Sequence, residues 1–268
     1  MLTIKDWFDK LQTEGTPRSV PYGLDPLDSL VTGLPAGALG VVGAMTGQGK
    51  SAFCLGTALH AANRGQPVLM ASLETTPAQL SVRAAAWATG FPCSAFHDPD
   101  SAEWQEARQM MESLPFYLDF APGMSVARLS RDLDTLSEQG VAPELVVVDY
   151  LQLVRGDGES RERAVGETIR SLKELALERD VPFLVASQLN RNSSYRPDGE
   201  REPRLADLRD SGEIEQSARQ VILIEWIKGD SSNQQVNLHV AKNTDGPVGV
   251  AHAEFIRECT RFEDTNGF

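Results

Sequence analysis

The sequence predicts an α/β domain with a mostly parallel, twisted sheet flanked by helices. Three observations carry that prediction. Short β-type apolar runs alternate with helical stretches, the pattern of repeated strand–helix–strand units. The runs are continuously apolar rather than alternating, as expected when both faces of a parallel sheet are covered. A glycine-rich turn joins the first run to a helix. The 268 residues leave room for one to two domains. The expected partition is an N-terminal helical segment over 1–19 and one domain over 20–268.

The first element is a helix over 3–13, with Ile4, Trp7, Phe8 and Leu11 on one face and Gly15-Thr16-Pro17 breaking the chain after it. A helix this short is marginal alone and must dock, either on its own domain or on a neighbouring subunit. Strands are expected at 39–43, 67–72, 116–120, 145–149, 182–187 and 220–225. Helices are expected at 50–63, 77–89, 102–113, 126–139 and 161–179. Thr76-Pro77-Ala78-Gln79 reads as an N-cap, a proline at the first helical position and a glutamine closing a capping box. Asp100 with Glu103 reads as a second such start. Near the C-terminus, 235–242 and 248–256 form a β-hairpin, with Asn243-Thr244-Asp245-Gly246-Pro247 as its turn.

Composition narrows the function classes. With 38 acidic against 25 basic residues the net charge is -13, which disfavours indiscriminate binding to nucleic acid or anionic membranes. Any DNA contact must come from a local basic strip. The three cysteines, Cys54, Cys93 and Cys259, lie far apart in sequence and make no CxxC pair, so a disulfide framework or zinc site is not expected. That usage fits a reducing, cytoplasmic setting. The longest apolar runs fall far short of a membrane span, and the N-terminus does not read as a signal peptide.

The glycine-rich turn is Ala44-Met45-Thr46-Gly47-Gln48-Gly49-Lys50-Ser51. Apart from Ala44, where the strict pattern has glycine, it fits a phosphate-binding loop. Gly47 and Gly49 let the backbone curl and aim N–H groups at an anion, and the helix start adds partial positive charge. Thr46 to Ser51 are therefore the candidate nucleotide-binding residues. Lys50 would reach the β- and γ-phosphates, and the Ser51 hydroxyl would ligate Mg²⁺. Asp149 ends an apolar strand, where such a loop needs its second Mg²⁺ partner. A nucleoside triphosphate and Mg²⁺ are the implied ligands.

Two strand ends offer further chemistry. Glu74 follows the strand ending near 73, on the side where ligands bind in open α/β sheets. A carboxylate there could orient and deprotonate water, or it is an exposed loop glutamate. Gln188 follows the strand ending at 187; it could sense a γ-phosphate, or it is a polar strand cap.

Several strings resemble the motor domain of DnaB-type replicative helicases. They are Asp149-Tyr150-Leu151-Gln152-Leu153, Ser187-Gln188-Leu189-Asn190-Arg191, and the run from Asp207 to Gln216. Ser72-Leu73-Glu74 with Gln79 and Arg83, Gly23-Leu24-Asp25-Pro26-Leu27-Asp28, the run from Arg170 to Ala176, and that from Lys242 to Gly249 match the same family. The resemblance spans about residues 20–262, with the motifs in order. It implies a RecA-like P-loop NTPase core, assembled as a homo-oligomeric ring, usually a hexamer, around single-stranded DNA. It also implies ATP as the nucleotide and 5'-3' unwinding in replication, with primase or loader contacts open. By this resemblance Glu74 activates water, Asp149 coordinates Mg²⁺ and Gln188 couples the γ-phosphate to DNA loops. Lys242 reaches a neighbour's ATP site, and Arg209, Asp210 and Gly212 touch the DNA backbone. The residues themselves say less: 190–210 carries five arginines offset by five acids and reads as a mobile, balanced loop.

Two departures stand out. About twenty residues precede the core, where the family carries a helical N-terminal domain. The position of the family's arginine finger is held by Thr244, next to Lys242 and Asn243. An arginine finger is worth about 10³–10⁵ in rate, so hydrolysis without one is expected to be slow. Two readings stay open: a ring helicase, and an ATP-binding relative with a regulatory or assembly role. A small-molecule kinase is a weaker third.

Overall fold

In the computed structural model the described residues are 3–15, 18–151, 161–190, 202–208, 211–227 and 233–265. The first helix, α1 (Ile4–Glu14), is capped by Thr3, whose hydroxyl accepts from the Asp6 N–H at 3.2 Å. Its Ile4, Phe8 and Leu11 side chains are exposed, so these three find no apolar partner among the described residues. Strand β1 (Ser19–Val20) pairs with β2 (Leu34–Pro35), and α2 (Asp25–Val31) runs between them. The Asp28 carboxylate holds that entry by accepting from the N–H groups of Tyr22, Gly23 and Leu24.

The sheet strands and remaining helices follow in order. These are β3 (Leu39–Ala44), α3 (Lys50–Asn63), β4 (Val68–Ser72), α4 (Pro77–Thr89), α5 (Ala102–Met111), β5 (Phe116–Phe120), α6 (Val126–Glu138) and β6 (Leu145–Asp149). Then come α7 (Arg161–Arg179), β7 (Phe183–Gln188), α8 (Ser211–Ser217), β8 (Gln220–Trp226), β9 (Asn233–Asn243), β10 (Gly249–Ile256) and β11 (Arg261–Asp264). Nine of the described strands form one sheet, ordered β11-β10-β9-β8-β3-β7-β6-β4-β5. The six from β8 to β5 are parallel, and β9, β10 and β11 continue the edge antiparallel.

Both faces of the parallel part are covered, as the unbroken apolar runs predict. Val42, Val147, Leu184 and Ile222 pack with Leu27 of α2 and Phe53, Leu55 and Leu59 of α3. Their neighbours Val41, Val146, Val185 and Val221 point the other way, against Leu129 and Leu133 of α6 and Ile169 and Leu172 of α7. The lead-in is tied to the sheet through Gln220. Its buried amide accepts from the Tyr22 hydroxyl at 2.8 Å and donates to the Gly33 carbonyl at 3.0 Å.

Some local expectations are corrected. Helix α5 is capped by Ser101, whose hydroxyl accepts from the Trp104 N–H, and not by Asp100, which lies one residue too early for that bond. The loop expected over 190–210 is ordered where it is described at its far end. Residues 205–207 form a single 3₁₀ turn, and Leu208 bridges back to Leu189. The rest of that loop lies outside the described residues. Among the described residues no helix is long and apolar enough to cross a membrane.

Candidate nucleotide site

Strands β3, β6, β7 and β4 are neighbours through register, so their C-terminal ends meet at one edge of the sheet. In an open parallel sheet that edge is where ligands bind. Strand β3 ends at Ala44 and the chain curls back through Met45 to Gly49 before α3 begins. Gly47 (φ +81°) and Gly49 (φ +88°) take left-handed conformations. A Cβ on Gly49 would lie 2.9 Å from Phe262 Cζ, whereas one on Gly47 would meet nothing within 4 Å. The Gln48 carboxamide oxygen accepts from the Met45 N–H at 3.3 Å, closing the turn on itself. Gly49 caps α3 without a side-chain bond, so the first-turn N–H groups of that helix are left to an external acceptor.

The loop borders a cavity of about 460 Å³ lined by Thr46, Gly47, Gly49, Lys50, Ser51, Glu74, Arg83, Tyr150, Gln188, Trp226, Phe255, Arg257 and Thr260 among others. Lys50 reaches into it from the start of α3. Burial lowers the affinity of its amine for a proton, against the pull of Asp149, Cys54 and Glu74. Asp149, at the end of β6, is 1% exposed, and neither carboxylate oxygen has a hydrogen-bond partner. Burial pushes its carboxyl above the ordinary range. The nearby Ser51 hydroxyl, short of a well-formed hydrogen bond, and the Lys50 ammonium oppose that rise. A buried acid with both oxygens unsatisfied, beside a hydroxyl and an ammonium, is an arrangement that a divalent cation would complete.

Glu74 is exposed just past the end of β4 and lines the cavity. The Gln188 amide, at the end of β7, donates to the Thr46 hydroxyl across the cavity mouth at 2.8 Å. The expected loop residues, Lys50, Ser51, Asp149, Glu74 and Gln188 therefore converge. Lys242 does not join them. On β9, its ammonium donates to the carbonyls of Glu215 (2.5 Å) and Ala218 (2.6 Å) at the end of α8, where a cation is favoured. Gly212 sits in the first turn of α8 with open space around it; Arg209 and Asp210 lie outside the described residues. Thr244 bonds the Arg219 carbonyl through both its N–H and its hydroxyl, and Arg219 pairs with Asp245.

Sequence reasoning missed the far wall. Trp226, Phe255, Arg257 and Thr260 come from β8, β10 and the turn after β10. The Arg257 guanidinium lies 4.5 Å over the Trp226 ring. No local motif marks them, because a nine-stranded order brings them to the loop. Arg83, on α4, entered the sequence reading only through the family resemblance and not as a site residue. A larger hollow of about 640 Å³ lies between α4 and α5, but it is mostly apolar and carries no such constellation.

A lysine-bearing strand–loop–helix turn, with a buried acid at the end of a nearby parallel strand, defines a P-loop NTPase of RecA-like build. Comparison with known proteins narrows this class. The chain belongs to the DnaB-like helicase C terminal domain family, which it matches over residues 19–264. It is 32% identical over 263 residues to the replicative DNA helicase DnaB of Geobacillus stearothermophilus, covering 93% of this chain and 57% of that protein. To the DnaB helicase of Leifsonia xyli it is 33% identical, covering 94% and 57%. The chain thus spans just over half the length of these relatives. Among solved structures, a DnaB-like replicative helicase studied with primase superposes with a TM-score of 0.86 at 26% identity, over 98% of this chain and 66% of that one. The ATPase domain of G40P superposes with 0.85 at 25%, over 98% and 97%.

Proposed function

We propose that this chain is the ATP-hydrolysing motor of a ring-forming DNA helicase that moves along single-stranded DNA in replication. The observation that carries the proposal is Asp149: a buried carboxylate with two unsatisfied oxygens, set beside Lys50 and Ser51, which line a 460 Å³ cavity. Membership of the helicase family supports the activity, and the named relatives are replicative helicases.

The residues divide the work as follows. The N–H groups of residues 46–51 and the start of α3 hold the phosphates, and Lys50 reaches the β- and γ-phosphates. Ser51 and Asp149 would hold Mg²⁺, Asp149 through water. Held there, Mg²⁺ would offset the negative charge of the phosphates. Glu74 faces the same cavity and orients the attacking water, taking its proton. Gln188 gives up Thr46 for the γ-phosphate and relays its loss along the Leu189–Leu208 bridge. That bridge leads toward Arg209, Asp210 and Gly212, which contact the DNA backbone in a salt-sensitive, sequence-independent way. The unpartnered face of α1 fits docking on the next subunit, in a ring of the hexameric kind. Lys242 would leave its two carbonyls to enter the neighbouring site. Unwinding would run 5'-3' and the setting would be cytoplasmic, with primase or loader contact left open.

One observation favours a second reading, an ATP-binding regulatory or assembly protein with weak hydrolysis. Thr244 is fully engaged with the Arg219 carbonyl and offers no charge. An absent finger worth about 10³–10⁵ corresponds to roughly 4–7 kcal/mol of barrier. The test compares wild type, Lys50→Ala and Glu74→Gln for MgATP binding by thermal shift, hydrolysis, and unwinding of a forked duplex. Lys50→Ala should lose the shift; Glu74→Gln should keep it and lose turnover. A wild-type protein that hydrolyses ATP but never unwinds would select the second reading. An MgATP shift unchanged in Lys50→Ala would overturn both.

A further inference from the structure

Two of the three cysteines, remote in sequence, meet in the fold. The Cys93 N–H donates to the Glu258 carbonyl at 2.8 Å, directly before Cys259. The planar peptide fixes the Glu258 carbonyl oxygen about 2.8 Å from the Cys259 Cα, which bounds the Cα–Cα separation at about 7 Å. Ordinary bent angles at the N–H and the carbonyl shorten it into the 4.4–6.8 Å range that a disulfide spans. The Cys259 thiol already points at this junction, donating to the Gly90 carbonyl at 3.0 Å. Both thiols are free; Cys93 is partly exposed, Cys259 is buried, and Cys54 is buried elsewhere, on α3. Burial, with a further contribution from Cys93, keeps the Cys259 thiol protonated above the ordinary range.

The junction joins two segments that each adjoin residues lining the nucleotide cavity. Cys93 follows Gly90, the C-cap of α4, and α4 carries Arg83 into the cavity. Cys259 lies in the turn between β10 and β11 that carries Arg257 and Thr260 into the same cavity. Arg261 strengthens the seam by donating to the Trp87 carbonyl at 2.9 Å. We propose that Cys93 and Cys259 are a redox modification site, closing to a disulfide that locks the end of α4 to the β10–β11 turn and holds the nucleotide cavity in one shape. The co-reactant is a low-molecular-weight disulfide. Cys93, the accessible partner, attacks as thiolate and releases one small thiol; Cys259 then attacks the Cys93 sulfur and releases the second. Two protein thiols are oxidised to one disulfide, and their two protons end on the two small thiols to which the small disulfide is reduced. A pair of this kind in a reducing compartment forms transiently, as a sensor.

The bridge stands on geometry alone; its effect on nucleotide rests on the ATPase reading above. The test incubates the full chain with oxidised glutathione, then counts thiols and maps peptides without reduction. The expected result is loss of two of the three thiols, a Cys93–Cys259 cross-linked peptide, and at least a threefold fall in ATP turnover that dithiothreitol reverses. Cys93→Ser and Cys259→Ser should each keep their turnover under the same treatment. Persistent glutathione on Cys93 with Cys259 still free, or cross-links only between chains, would overturn the proposal. A bridge that forms without altering turnover would overturn its regulatory half. Absence of turnover in the reduced protein counts against the ATPase reading, while the peptide map still decides the bridge.

Discussion

Gly47→Ala and Gly49→Ala place the same methyl group two residues apart in one loop, and the structure separates their outcomes. Both positions have a positive φ, +81° and +88°. Alanine there costs about 1–2 kcal/mol. Gly47 carries only that cost, since its Cβ would face open space. At Gly49 the Cβ would lie 2.9 Å from Cζ and 3.1 Å from Cε2 of Phe262. That ring cannot swing aside: it sits edge-on to Phe53 at 5.6 Å and tilted on Phe255 at 4.8 Å. Overpacking a fixed ring adds about 1–3 kcal/mol. At roughly 3 °C per kcal/mol for a chain of this size, Gly47→Ala should lower Tm by about 3–6 °C and Gly49→Ala by about 6–15 °C. Function should not follow that order alone. The Gly47 methyl would project where phosphate binds, so this mildly destabilised variant should still bind MgATP at least tenfold more weakly. Differential scanning fluorimetry without ligand, followed by MgATP titration at a temperature where both variants are folded, measures the two effects separately. Equal Tm losses would refute the Phe262 argument, and wild-type MgATP affinity in Gly47→Ala would refute the placement of phosphate on this loop.

Binding of MgATP should pass through a maximum with pH. It falls on the acid side as Asp149 takes up a proton above its ordinary 3.8, and on the alkaline side as Lys50 loses one below 10.5. The raised Asp149 value also means that nucleotide-free protein loses stability as pH climbs from 3.8 through the folded value, because the native state holds that proton more firmly. Asp149→Asn should flatten the acid limb, and an unchanged limb in an isothermal titration series would exclude Asp149 as its source. Thr244→Arg should raise ATP turnover several-fold in an assembled ring; no gain in a steady-state assay would mean that another cation already serves. Phe8→Asp, which charges the exposed face of α1 without touching the core, should lower the native mass seen by light scattering with ATP and single-stranded DNA present; an unchanged mass would remove α1 from the interface.

What the sequence made legible was local. Helices α3, α4 and α7 fall at 50–63, 77–89 and 161–179 as expected, since each has a marked start or a long periodic body. The capping box at Thr76 is formed as its spacing predicts, with the Gln79 N–H donating to the Thr76 hydroxyl at 3.4 Å. Short elements were lost. Helix α2 has only seven residues, and the signals that could have found it are Pro26 in its first turn and the Asp28 carboxylate gathering three N–H groups. Strand β11 has four residues at the sheet edge, of which only Phe262 is apolar. Helix α8 begins inside a string rich in charge and glycine. The phosphate loop and Asp149 were readable because strand, turn and helix are contiguous in sequence. Arg257 and Trp226 were not, because only β-pairing across the antiparallel edge puts them at the cavity.

Phe262, on the last strand, is the floor on which Gly49 rests. A ribosome therefore delivers the lysine-bearing turn early and its support late. Until β11 has emerged and paired with β10, the turn lacks the ring that fixes its curl. The curl of that turn is thus tied to completion of the sheet edge rather than to the loop alone.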